Sequence, residues 1–116
     1  MPDDPIDAAT LDELLDTLGG DEAFLAELVG SYLADSPPLV AAMRDAVTAG
    51  DAAALRRAAH TLKSTSASVG ALRLAGVCRE VESAASADLV RGDLVENAAA
   101  EYARASGALA ARAGAA

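Results

Sequence analysis

The sequence predicts an all-α fold: an antiparallel, up-down-up-down four-helix bundle with a short extra helix at its N-terminus. Three observations carry this. Ala, Leu, Glu, Arg and Lys make up 62 of the 116 residues, with Ala alone contributing 31, the composition of long helices. One Ile, eight Val and five Thr leave a sheet little of the β-branched material it favours. Apolar residues recur at three- and four-residue spacing in several long stretches separated by short Gly- or Asp-marked breaks, and short connections favour antiparallel neighbours.

Residues 1–7, with Pro2 and Pro5, read as a flexible lead. Thr10-Leu11-Asp12-Glu13 has the form of a capping box, with Thr10 as N-cap and Glu13 at N3. It starts a short helix with Leu11, Leu14, Leu15 and Leu18 on one face, ended by Gly19-Gly20. Asp21 then caps a second helix, whose stripe of Phe24, Leu25, Leu28, Val29 and Tyr32 is core, or in part a docking edge. Pro37-Pro38 predicts a kink or restart, after which Leu39, Val40, Met43 and Val47 continue to about Ala49. Gly50-Asp51 is a stop followed by an N-cap. The third helix turns Leu55, Ala58, Ala59, Leu62, Ser66 and Val69 inward, and Gly70 closes it or admits a close neighbour. A fourth runs from about Leu72 to Ser86 with Leu74, Val77, Cys78 and Val81 inward. After a turn over 87–93, a fifth uses Leu94, Val95, Ala98, Tyr102 and Leu109 and runs to about Arg112. The bundle domain is thus placed at 8–112, with a frayed tail at 113–116.

Composition excludes several functions. The formal net charge is −9, which repels phosphate backbones and argues against nucleic acid as a partner. One Cys cannot form an internal disulfide. One His and one distant Cys make a poor zinc site, and no Gly-rich nucleophile elbow accompanies the serines. No apolar run approaches the roughly 18 residues of a membrane span, and the N-terminus is acidic where a signal peptide is basic. A cytoplasmic, monomeric domain without a cofactor of its own is expected.

The single His and single Lys fall three residues apart, at His60 and Lys63, about 60° apart on one helix face. Arg56 and Arg57 precede His60 by one turn and Ser64 follows it by one, while Ala53 and Ala67 extend the stripe with little bulk. The apolar residues Leu55, Leu62 and Val69 point elsewhere, so His60 is expected to be exposed or half-buried on a locally basic face. A neutral imidazole is a competent nucleophile near pH 7. A phosphoryl group on it would be held by Lys63 through charge-assisted hydrogen bonds, with Ser64 and Ser68 as further donors. Nothing on the stripe binds a nucleotide or a metal. Such a surface could accept and donate a phosphoryl group but could not generate one.

The run Ala59-His60-Thr61-Leu62-Lys63-Ser64-Thr65-Ser66-Ala67-Ser68-Val69-Gly70-Ala71, followed by Leu74, Cys78 and Val81-Glu82, resembles the signature of histidine phosphotransfer (HPt) domains. The resemblance spans about residues 8–105. It implies that His60 is the phosphoacceptor through Nε2, that Lys63 supports the phosphate, that Glu82 orients the imidazole through its other nitrogen, and that Gly70 permits tight packing near the docking face. Arg56, Arg57, Ser64, Ala67, Ser68 and Gly70 are the candidate partner-docking residues. The implied partners are response-regulator receiver domains or a hybrid histidine kinase, with Mg²⁺ on the receiver. The implied function is that of a phosphorelay intermediate, a covalent carrier and not an autonomous enzyme. One departure is Ser64, where the family commonly has Gly. Two alternatives stand beside this reading: the substrate domain of a chemotaxis-type histidine kinase, and a helical adaptor with an inert His60.

Overall fold

The computed structural model describes residues 4–113, and among these every regular element is helical. The order is α1 (Ala8–Thr17), α2 (Glu22–Ala49), α3 (Ala52–Ser68), α4 (Leu72–Ser86) and α5 (Gly92–Ala113). Helices α2, α3, α4 and α5 pack in a closed ring, each against the next in sequence and α5 back onto α2, while α1 lies against α2. The expected lead over 1–7 and tail over 113–116 fall partly outside the described residues. Of the lead, Ile6 packs against the core and the Asp7 amide donates to the Gly70 carbonyl at 2.7 Å, so its last two residues are held. Of the tail, Ala113 is the final residue of α5.

The start of α1 differs from the sequence expectation. Asp7, not Thr10, is the N-cap. Thr10 stands one turn inside, its hydroxyl donating to the Asp7 carboxylate at 2.6 Å. The Asp7 carboxylate accepts from that hydroxyl and not from a first-turn amide, and a start at Asp7 adds three residues to a helix that needs all the length it can get. The predicted face holds: Leu11 is buried, and Leu14, Leu15 and Leu18 are half-buried against the core. Gly19 and Gly20 take positive φ and end the helix.

Helix α2 begins as expected, with the Asp21 carboxylate accepting from the Phe24 amide at 3.1 Å. It does not restart at Pro37-Pro38 but continues to Ala49. The two prolines withdraw the amides that would bond the carbonyls of Leu33 and Ala34. The Tyr102 hydroxyl of α5 donates to the Leu33 carbonyl at 3.4 Å, and Ala34 is exposed to water. The gap is thus repaired from a neighbouring helix, which helix periodicity alone does not reveal. Gly50 closes α2 in the left-handed region at φ 66°, and Asp51 caps α3 by accepting from the Ala54 amide at 3.0 Å.

The core consists of Leu, Val and Ala layers: Leu25, Val29, Met43, Leu55, Leu62, Leu74, Val81, Val95 and Leu109 are all nearly inaccessible. All six inward positions expected on α3 and its end are buried. On α4, Val77 is only half-buried and Ala75 takes the inner place. One polar seam crosses the interior: the Tyr32 hydroxyl lies 2.7 Å from Ser66 Oγ, joining α2 to α3 without an unpaired buried polar side-chain atom among the described residues.

Candidate functional site

Helix α3 presents His60 and Lys63 one turn apart because Leu55, Ala58, Ala59, Leu62 and Ser66 are buried in the bundle. The intervening positions therefore face outward. The His60 side chain is 59% exposed. Across the groove to α4, Val81 is fixed in the core, which sets its neighbour Glu82 at the α3–α4 edge with its side chain 18% exposed.

Glu82 is the hinge of the site. One carboxylate oxygen is 2.7 Å from His60 Nδ1, and the other accepts from the Lys63 ammonium at 2.5 Å. The Lys63 hydrogen bond, and then that of His60, hold the Glu82 carboxyl below its ordinary value of 4.5 against the opposing cost of partial burial. Glu82 is therefore an acceptor near neutral pH, and the neutral imidazole must carry its proton on Nδ1. Its lone pair is then on Nε2, on a side chain that is 59% exposed. The geometry does two things at once: it fixes the ring and selects the tautomer.

The Glu82 shift has a consequence for stability. A carboxyl whose pKa is depressed by folding stabilises the fold above its unfolded value and loses that contribution as pH falls through the folded value. Wild-type protein is expected to exceed Glu82→Gln in stability above about pH 4.5, with the difference closing at lower pH. Urea titrations of both proteins at stepped pH check this, and a difference that grows on acidification would contradict it.

The other sequence-selected residues divide into two groups. Arg56, Arg57, Ser64, Ala67 and Ser68 are exposed on α3, on the helix that carries His60. Gly70 is buried, just beyond the C-cap Val69 of α3. It adopts φ +81°, and a Cβ placed on it would sit 2.9 Å from the Asp7 carbonyl oxygen. The close neighbour that Gly70 admits is the chain's own N-terminal segment. Phe24, read as core or docking edge, is 46% exposed in the first turn of α2. Leu28 and Tyr32 line an open groove of about 270 Å³ with Leu14, Thr65, Ser68 and Val69.

What sequence reasoning missed is the ion pair between Lys63 and Glu82. The sequence offers Lys63 as a phosphate ligand and Glu82 as a ring-orienting group, and the same carboxylate serves both His60 and Lys63. Nothing in spacing signals this, since the two are 19 positions apart on different helices. Cys78, one turn before Glu82, is inaccessible, and burial pushes its thiol up to about 12, as fits a core residue with no nucleophilic role. Among the described residues no His, Cys, Asp and Glu cluster could hold a metal ion. No helix there is long and apolar enough to cross a membrane.

An exposed His whose ring is fixed by a carboxylate from the next helix of a closed four-helix ring defines a class. The sequence model of the Hpt domain matches residues 27–112, and the chain belongs to the Hpt domain family, the histidine phosphotransfer carriers of two-component signalling. Among solved structures, it is similar to histidine-containing phosphotransfer protein B (HptB) from Pseudomonas aeruginosa PAO1. The TM-score is 0.86 at 29% identity, and the match covers 94% of each chain. Comparison with curated proteins finds no match.

Proposed function

We propose that the protein is a phosphorelay intermediate in which His60 Nε2 accepts a phosphoryl group from a receiver-domain aspartate and passes it to a second receiver. The observation that carries this reading is the 2.7 Å contact between His60 Nδ1 and Glu82, which leaves Nε2 as the free lone pair on an exposed ring. In the forward step Nε2 attacks the phosphorus of a receiver acyl phosphate, the P–N bond forms as the P–O bond breaks, and the aspartate leaves as a carboxylate. The reverse step regenerates the neutral imidazole. Through a loose transition state the demand on the carrier is in-line access and charge compensation. The receiver contributes Mg²⁺, and the carrier contributes the nucleophile and no cofactor.

Lys63 completes the site. With one ammonium proton on Glu82, two remain for phosphoryl oxygens. Arg56 and Arg57 make no ion pair among the described residues and give this face a basic margin on a protein of charge −9, suited to the acidic cleft of a receiver. Ser64, Ala67 and Ser68 keep the approach to the ring low, and the groove beside Ser68 offers apolar walls to the same partner. The bundle is read as up-down-up-down and antiparallel, supported by connections of two, three and five residues between α2 and α5, and the protein as a cytoplasmic monomer.

The reading is tested by incubating the protein with a receiver carrying labelled phosphate. Acid-labile, alkali-stable label on His60 is expected, and no transfer from any receiver of the source proteome would sink it. Label obtained from ATP and a kinase module alone, with no receiver competent, would favour a kinase-substrate domain instead. Lys63→Ala is expected to slow transfer or shorten the lifetime of the phosphoprotein by about tenfold, the scale of one charge-assisted hydrogen bond, with its helicity intact. An unchanged rate and lifetime would remove Lys63 from the site.

A further inference from the structure

The hydroxyls of α3 are almost all occupied. Thr61 donates to the Arg57 carbonyl at 3.2 Å, Thr65 to the Thr61 carbonyl at 3.1 Å and Ser68 to the Ser64 carbonyl at 3.0 Å, while Ser66 pairs with Tyr32 in the core. Back-bonding of this kind is the usual fate of a hydroxyl inside a helix. Ser64 is the exception among the described residues of α3: its hydroxyl makes no hydrogen bond within the protein. It is also the one hydroxyl a full turn beyond His60, about 40° around the helix from it, whereas Lys63 lies about 60° to the other side. Lys63 and Glu82 therefore bracket the ring from the α4 side and Ser64 stands on the open side.

We propose that Ser64 is a phosphate ligand: its Oγ–H donates to a phosphoryl oxygen on His60 Nε2, opposite Lys63. This rests on the reading that Nε2 carries the phosphoryl group, and it gives Ser64 a part distinct from docking. Lys63 is shared with Glu82, so a dianion on Nε2 has acceptor capacity left over. A free hydroxyl on the exposed side meets that capacity without adding a charge or bulk that would obstruct a receiver. A hydrogen bond to a phosphoryl oxygen fixes the orientation of the group on the ring and so restricts in-line attack by water when no receiver is docked. The donor therefore protects the phosphoprotein against water between encounters.

The test needs no partner. His60 is labelled chemically with phosphoramidate, excess donor is removed, and loss of label is followed at neutral pH for wild type, Ser64→Ala, Ser64→Gly and Ser64→Thr. The expected result is loss about threefold faster in the Ala and Gly variants and close to the wild-type rate in the Thr variant, which restores the hydroxyl. Equal lifetimes in wild type, Ala and Gly would overturn the proposal, as would an effect confined to receiver affinity. Wild-type protein that takes label from phosphoramidate but from no receiver would overturn the relay reading while leaving the Ser64 comparison in force. The two failures are thereby separate.

Discussion

His60→Gln is expected to abolish phosphoryl acceptance outright, with incorporation below about 1% of wild type, because no other side chain at the site offers a neutral nitrogen nucleophile. The fold is expected to be unaffected. The His60 side chain is 59% exposed, and exposed substitutions of this kind shift stability by about 0.5 kcal/mol or less. Gln can still donate to Glu82 from its amide, and Lys63 retains the other carboxylate oxygen, so neither the ion pair nor the α3–α4 edge is lost. The measurements are labelled-phosphate transfer from a receiver and thermal unfolding of both proteins. A variant that still takes up acid-labile label would move the phosphoacceptor elsewhere, and a variant that binds and signals as wild type would restore the inert-adaptor alternative. A variant that unfolds some 10 °C lower would show that His60 has a structural role the exposed ring does not suggest.

Much of the fold is legible in the sequence, and for identifiable reasons. Inward positions on α3 were readable because Leu55, Leu62 and Ser66 repeat at helical spacing, and a helix admits one orientation once its apolar stripe is buried. That same constraint forces His60 outward. The caps at Asp21 and Asp51 were readable because a carboxylate three residues ahead of an amide is a local interaction. The failures are non-local. Two prolines inside α2 predict a kink or restart, and of the two carbonyls they orphan that of Leu33 is met by Tyr102, 69 residues away. Thr10 satisfied a local motif, and Asp7 took the cap because its amide is also tied to Gly70, 63 positions on. The Lys63–Glu82 pair belongs to this group. Sequence supplies which faces of a helix are available, and the partner across the gap depends on how two helices are staggered, which spacing within one helix does not encode.

Gly70 gives the sharpest separation of fold from function. The HPt resemblance places it near a docking face, and the structure puts it beneath Asp7 with φ +81°. An Ala there incurs the left-handed penalty of about 1–2 kcal/mol and brings its Cβ to 2.9 Å from the Asp7 carbonyl oxygen and 3.2 Å from Thr10 Cβ. Both obstacles are held: Asp7 by its amide bond to the Gly70 carbonyl and Thr10 by its bond to the Asp7 carboxylate. The N-terminal segment must therefore lift, and the hydrogen bond from the Asp7 amide to the Gly70 carbonyl is lost as it goes, a further cost of about 1 kcal/mol. Gly70→Ala is expected to lose about 2–3 kcal/mol in denaturant titrations, equivalent to a fall in Tm of about 10–20 °C at this chain length. Its phosphorylated fraction, measured well below the transition, should transfer at the wild-type rate. Loss of receiver affinity at full stability would return Gly70 to the docking surface. If instead the clash with Asp7 is responsible, removing residues 1–7 from the variant should cost less than removing them from wild type, since the truncation then relieves a strain as well as breaking a contact. That non-additivity, measured as a double-mutant cycle, isolates the Asp7–Gly70 contact from the φ penalty that remains in both variants.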